Sequence, residues 1–406
     1  MKKNLLTVAI LLLSAAFQGA FAKDLSNPLP NWIDSGRERA DGRPPTRMTR
    51  AAVPADFRIP AEYEPVSAVV ISWAGYTSML TAIAKGASGA GRAAVWGVDA
   101  PASISGVPAS QYSQISAPID TVWVRDYGPF GISASQSKVG IVDAVYRHYQ
   151  YRRDDDALPT NLGKAKKITV YGMEIILDGG NLMVDSKGNL YMTKRTYIWN
   201  SDKSQAQVDA ALKAAFKVKN IYTFEYSGYP DEPADGTGHI DMFMKLLNDH
   251  TVLISLADTE PFKSNSEKAL AFFKGRTAPD GQPYKILTVK GWDSGAWYTY
   301  TNSLIVNNVV LMPSYSGKTK ENAEAEAAYK AGMPGVTVIQ INSDSSITAG
   351  GSIHCVTQTI PAFSGRDSSA EETADLQKFE SVPLIWTPEP LGTGGSPALD
   401  QLQNSK

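Results

Sequence analysis

Cysteine is almost absent from this chain: Cys355 is the only one in 406 residues. A lone thiol excludes any disulfide within the chain, so stability has to come from a buried core and the thiol is kept for another reason. Excess positive charge is missing as well. A formal net charge of −2 removes the electrostatic footing of a nucleic-acid binder. Neither Cys-x-x-Cys nor His-x-x-x-His spacing occurs, so no zinc site is indicated. Long hydrophobic runs are also lacking, since the apolar stretch Leu5 to Leu13 is soon interrupted by Gln18 and is too short to span a bilayer. What remains is 43% hydrophobic residues, ample for a large core.

The first residues do carry a pattern. Lys2-Lys3, the apolar stretch and Ala20-Phe21-Ala22 have the charged, apolar and small-residue regions of a secretory leader, with cleavage expected after Ala22. The sequence therefore predicts a periplasmic or secreted protein with no membrane attachment after cleavage. Residues 1–22 read as the signal peptide, 23–59 as an extended lead-in rich in Pro, Arg and Asp, 60–363 as the catalytic domain and 364–406 as a polar tail.

Within the central region short apolar strands, beginning at Ser67 to Trp73, alternate with helical windows, of which Lys203 to Phe216 and Lys320 to Ala331 are clearest. That alternation predicts an α/β fold. Four hairpins recur: Phe130–Ile132 with Val139–Val142, Leu182–Val184 with Leu190–Met192, Met242–Met244 with Val252–Ile254, and Leu304–Val306 with Val309–Leu311. Their connections hold Ser135-Gln136-Ser137, Ser186-Lys187-Gly188, Asn248-Asp249 and Asn307-Asn308, residues suited to tight reversals. A polar cluster precedes each hairpin, and His354-Cys355 completes the series. Asp126, Asn181, Asp241, Asn302 and Cys355 are separated by 55, 60, 61 and 53 residues, a period long enough for one strand, hairpin and helix unit. Units arranged about an axis would bring all five clusters to one centre; on an open sheet they would be strand-end caps.

Such a centre would collect Asp126, Asp241 and Asp178, the amides of Asn181 and Asn302, His239 and the thiol, with Trp123 and Tyr127 as aromatic walls. Hard oxygen ligands and a soft thiolate suit different metal ions, so no metal or other cofactor is expected. A planar guanidinium matches better, because its fork of donors is accepted by carboxylates. Its carbon is a weak electrophile that a thiolate can attack once the cation is held rigidly. An ordinary thiol has a pKa of about 8.5, so Cys355 needs help to ionise. His239 is placed to protonate the departing amine and then activate water.

At these motifs the chain resembles the agmatine deiminase and bacterial peptidylarginine deiminase family, whose fold is a five-bladed α/β propeller. The matching stretches are Trp123 to Pro129, Asp178-Gly179-Gly180-Asn181, Gly236 to Asp241, and Gly350 to Gln358. The resemblance implies that Cys355 is the nucleophile, His239 the acid and base, and Asp126 with Asp241 the guanidinium holders. It implies too that Trp123 lies along the aliphatic part of the substrate and that Asn302 lines the pocket. Asp178 stands where agmatine deiminases carry Glu. In the exported bacterial enzymes two arginines between the first two motifs grip a substrate carboxylate; Arg152 is the best single match here, with a solvated charged loop as the competing reading.

Other residues have plainer readings. Strand alternation predicts that His354 faces away from the thiol and that Arg125 is a structural ion-pair partner. His148 and His250 are expected in loops, and Asp154-Asp155-Asp156 as a solvated turn. The sequence reading is thus a secreted deiminase hydrolysing peptidyl- or C-terminal arginine to a ureido product plus ammonia. Its partner is a small guanidine or an arginine-containing peptide, without nucleic acid. The alternatives are an agmatine deiminase, an amidinotransferase, and a noncatalytic binder of cationic peptides; a papain-like protease is disfavoured because the His precedes the Cys.

Overall fold

The computed structural model describes residues 23–45, 51–134, 138–225, 237–260, 262–292 and 298–362. The expected leader and tail lie outside these residues, as does the Ser135-Gln136-Ser137 turn. Among the described residues no helix is long and apolar enough to cross a membrane.

The chain folds as a mixed α/β structure of five small sheets. The first unit holds β1 (Phe57–Arg58), β2 (Val66–Ser72), α1 (Thr77–Ser88), β3 (Ala94–Val98) and β4 (Tyr112–Ile115). The second holds α2 (Val124–Tyr127), β5 (Phe130–Ala134), β6 (Lys138–Val145), α3 (Arg153–Lys166) and β7 (Thr169–Ile176). The third holds β8 (Met183–Val184), β9 (Asn189–Thr193), α4 (Arg195–Trp199), α5 (Gln205–Phe216) and β10 (Asn220–Phe224). The fourth holds β11 (Met244–Asn248), β12 (Thr251–Leu256), α6 (Phe262–Phe273) and β13 (Lys285–Lys290). The fifth holds β14 (Leu304–Val306), β15 (Val309–Ser314), α7 (Thr319–Gly332) and β16 (Thr337–Asn342), and α8 (Asp344–Ile347) and β17 (Gln358–Pro361) follow.

The second to fifth units repeat one device, an antiparallel hairpin whose second strand pairs in parallel with a strand reached through a helix, while β1 adds antiparallel to β5 at the edge of the second sheet. The first sheet is closed from the far end of the chain, because β17 pairs antiparallel with β2, Gln358 opposite Val70. Beginning and end of the catalytic region are therefore one sheet, of order β17-β2-β3-β4.

Local chemistry explains the elements. Central strand β2 buries Val69, Val70 and Ile71 completely, as a strand covered on both faces must. Asn307 takes φ 54° in the β14–β15 turn, a conformation Asn tolerates, and its side chain bonds Val66 and Gly91 to tie the fifth unit to the first. Helix α5 starts with a reciprocal capping box between Ser204 and Gln207, which satisfies otherwise orphaned amides.

Two expectations are corrected here. Met242 lies in a short 3-10 turn, Ile240–Met242, and the strand begins at Met244. Cys355 precedes β17 in a turn rather than sitting on a strand, so the alternation invoked for His354 does not apply.

Candidate active site

Three of the four polar clusters that precede the hairpins fall at short helical turns, which bend the backbone, and the fourth, at Tyr300 to Asn302, is a bend. Asp126 comes from α2, Asp178 caps the 3-10 turn Gly179–Asn181, and Asp241 sits in the turn Ile240–Met242. Asp126, Asp178, His239, Asp241, Asn302 and Cys355 all have at most 1% of their surface exposed.

Glycine makes the gathering possible at two positions. A Cβ on Gly180 would lie 2.5 Å from His239 Nδ1, 3.0 Å from Asp126 Oδ1 and 3.1 Å from Asp241 Oδ2. Three functional groups thus share one point. A Cβ on Gly351 would lie 2.6 Å from Cys355 Sγ and 3.0 Å from the Trp123 ring, so thiol and indole face another shared point. Asp241 Oδ2 links the two, 3.9 Å from Sγ.

Hydrogen bonding orients the set. Gly180 N donates to Asp126 Oδ1 (3.2 Å), and His239 Nδ1 lies 3.5 Å from the same oxygen without a hydrogen bond. His239 Nε2 is 3.2 Å from Asp178 Oδ2, and Arg147 Nε forms an ion pair with that oxygen at 3.0 Å. Asp178 therefore anchors the imidazole by one nitrogen and leaves Nδ1 toward the shared point, a histidine and carboxylate pair suited to proton transfer. Asp241 Oδ1 has no hydrogen-bond partner among the described residues. A buried acceptor without a donor is costly unless a ligand supplies one.

Asn302 holds the thiol rather than lining an open pocket: Nδ2 lies 3.2 Å from Sγ, while Oδ1 accepts from Ser352 N at 2.9 Å. Burial, then the charges of Asp241 and Asp126, push the Cys355 thiol well above its usual range. Burial raises Asp126 to about 6, with Asp178 and Asp241 adding to the shift and His239 and Arg147 opposing it. Burial works against ionisation of Asp178 also, but Arg147 and His239 bring its pKa below the ordinary value. The site is a buried acidic pocket in which Asp126 faces His239, Asp241 faces His354, and Asp241 Oδ1 has no donor among the described residues.

Two expected substrate contacts are corrected. Asn181 spends its amide on Thr193 O, Thr196 Oγ1, Thr193 N and Ile240 N, bracing the third unit against the fourth. Arg152 is fully buried and clamps the lead-in, pairing with Glu38 (Nε to Oε1, 2.7 Å) and donating to Pro30 O and Trp32 O. Trp123 is buried beside the thiol, its Nε1 donating to Leu29 O. Arg125 is structural, as expected, bonding His354 O and Gln358 Oε1. The acidic turn is not solvated throughout: buried Asp155 and Asp156 accept from Thr121 and from Tyr146 N. His250 is a partly exposed loop residue 2.8 Å from Asp280 Oδ2, whereas His148 meets Asn31 O at 3.1 Å.

Several contributors were not foreseen. His354 joins Asp241 Oδ2 to Glu62 Oε2, at 2.6 Å from each. Glu62 in turn pairs with Lys245, whose Nζ also donates to Ser303 O at 2.7 Å. Lys245 interrupts the apolar run Met244 to Leu247, and a lysine in such a run is the sequence signal for a buried ion pair. A cavity of about 70 Å³ is lined by Glu62, Arg125, Asp241, Lys245 and His354; it reaches Gly180 but not Cys355 or His239.

The family model described as Porphyromonas-type peptidyl-arginine deiminase matches residues 58–361. The chain belongs to that family. A member of it is a hydrolase acting on the carbon–nitrogen bonds of linear amidines. Agmatine deiminase of Pseudomonas aeruginosa (strain LESB58) is 24% identical over 370 residues, covering 78% of this chain and 98% of that protein. Agmatine deiminase of Medicago truncatula is 25% identical over 287 residues, covering 59% and 76%. The solved agmatine deiminase of Enterococcus faecalis has a TM-score of 0.65 at 20% identity, over 76% of this chain and 96% of that one. The family fold is thereby shared, and Cys355, His239, Asp126 and Asp241 lie inside the matched residues.

Proposed function

We propose that this family member is an exported deiminase that hydrolyses the guanidinium of arginine, free or at a peptide end, through a covalent adduct on Cys355. One observation carries the reading: Asp126 Oδ1, Asp241 Oδ2 and His239 Nδ1 converge within 3.1 Å of one point, and Asp241 Oδ2 lies 3.9 Å from Cys355 Sγ. We read the five like-built sheets as blades about a central axis on which this point lies.

In the proposed reaction the guanidinium enters between Asp126 and Asp241, which accept its N–H groups. Its positive charge offsets the two carboxylates that otherwise suppress ionisation of the thiol, so the substrate assists in forming its own nucleophile. The Cys355 thiol gives up its proton to His239, and the thiolate attacks the guanidinium carbon to give a tetrahedral adduct. His239 protonates one amino group, the C–N bond breaks, ammonia leaves, and a thiouronium remains on Cys355. Water, deprotonated by His239, adds to that carbon, and loss of the thiolate gives the ureido product.

Arg147 supports an arginine-type substrate over agmatine. This cation contacts Asp178, stacks over Trp199 at 5.0 Å and is 16% exposed, so it favours a carboxylate at the far end of the substrate and repels an amine. It replaces Arg152 as the candidate grip. The names of the relatives favour the second reading, agmatine. Ammonia release from agmatine, arginine and a peptide ending in arginine separates the two; turnover confined to agmatine overturns the first. Export rests on the leader-like residues 1–22, and N-terminal sequencing of protein recovered from the periplasm or medium tests it.

A further inference from the structure

The matched region begins at residue 58, yet one residue of the site comes from outside it. Asn31 lies in the lead-in and is 1% exposed. Its Nδ2 donates to Asp126 Oδ2 at 3.0 Å. Its backbone is held on both sides, N–H donating to Ala349 O at 2.8 Å and carbonyl facing Arg147 Nη2 at 3.2 Å and His148 Nε2 at 3.1 Å. The flanking chain is fixed as firmly, through Trp123 Nε1 on Leu29 O and the Arg152 clamp on Pro30, Trp32 and Glu38.

These contacts close a ring. Asp126 neighbours His239, His239 bonds Asp178, Asp178 pairs with Arg147, Arg147 donates to Asn31, and Asn31 returns to Asp126. Four members belong to the family region and the fifth is supplied by the lead-in. We propose that Asn31 is a positioning residue for the reaction, fixing the Asp126 carboxylate for the guanidinium, and that residues 29–38 are a wall of the active site rather than a spacer. The inference rests on the deiminase reading.

The physical role follows from the donor. Asp126 is surrounded by His239 and Asp241 from the fourth unit, Asp178 from the third, Arg147 from the loop after β6, and Cys355 from the last turn. An amide N–H aimed at one of its oxygens favours the ionised form and fixes the rotamer. The same contact made by a carboxylate would repel it.

The test compares Asn31→Ala and the isosteric Asn31→Asp with the unmutated enzyme, by kcat and KM for ammonia release across pH, with melting curves for each. Positioning predicts a fall in kcat/KM of about tenfold to a hundredfold for Asn31→Ala, the range for a hydrogen bond to a charged group. It also predicts a larger fall for Asn31→Asp and an acid limb moved to higher pH in both. Should Asn31→Ala fail to fold, Asn31→Asp and Asn31→Ser carry the same comparison. Kinetics within twofold and an unmoved limb, with only melting altered, would leave Asn31 a structural cover and overturn the proposal. An unmutated protein that turns over no guanidine overturns the deiminase reading instead, and this inference with it.

Discussion

Gly180→Ala is the smallest change that addresses the convergence directly. Gly180 does not occupy a left-handed conformation, so alanine imposes no backbone strain there. The new methyl would be 2.5 Å from His239 Nδ1, 3.0 Å from Asp126 Oδ1 and 3.1 Å from Asp241 Oδ2. Separations under 3.0 Å do not persist, so the imidazole must retreat by about half an ångström or more, away from the one nitrogen left free for proton transfer. Overpacking of this kind costs about 1–3 kcal/mol of stability. Displacement of a reacting group by about 1 Å lowers rates roughly a hundredfold. The account therefore predicts a folded protein with a modestly lower melting point and kcat/KM reduced about a hundredfold in an ammonia-release assay. Gly42→Ala, where nothing lies within 4 Å, is the control and should match the unmutated enzyme. Activity of Gly180→Ala within threefold of the unmutated enzyme, at unchanged stability, would mean that these groups do not meet at the reacting centre.

Asp126 must be ionised to hold a guanidinium, and burial places its pKa at about 6, so kcat/KM should rise as pH passes through that value; a profile flat from about pH 4.5 to 8 contradicts this. Glu62→Gln should destabilise by about 3–5 kcal/mol in urea unfolding at neutral pH, because it leaves buried Lys245 without its ion-pair partner, while His354 keeps Asp241. Burial opposes ionisation of Glu62, but Lys245, His354 and Arg125 hold its pKa well below the ordinary value. The group has a depressed folded pKa, so its stabilisation is present above the unfolded carboxylate range and is lost as pH falls through the folded value. The gap between Glu62→Gln and the unmutated protein should accordingly shrink in strong acid, and a gap independent of pH refutes the assignment.

Local patterning made the hairpins and helices legible. Val309 to Leu311 is an apolar run following a turn of two asparagines, and α5 and α7 fall within a residue or two of their expected windows. The site itself was legible in part through period: Asp126, Asp241, Asn302 and Cys355 recur at that spacing and lie together, whereas Asn181, the remaining member of the series, braces the third unit against the fourth. What failed was inference across one residue. Strand alternation separates His354 from Cys355, but the chain turns there, and both reach Asp241 Oδ2. Met242 reads as strand because an apolar triplet looks the same whether or not its first residue is curled to carry Asp241. Long-range pairs were invisible in principle. Nothing near Arg152 indicates that its partner is Glu38, and nothing near Asn31 indicates Asp126, because each pair is made by docking of a segment without periodicity.

The central claim is that Cys355 becomes bonded to the guanidinium carbon. Rapid acid quench of the enzyme turning over an arginine peptide, followed by digestion and mass spectrometry, reads this directly. The account predicts an amidine-type adduct on the peptide containing Cys355, formed while ammonia is released and absent from Cys355→Ser. Full turnover with Cys355 never modified, or undiminished ammonia release by Cys355→Ser, would contradict it.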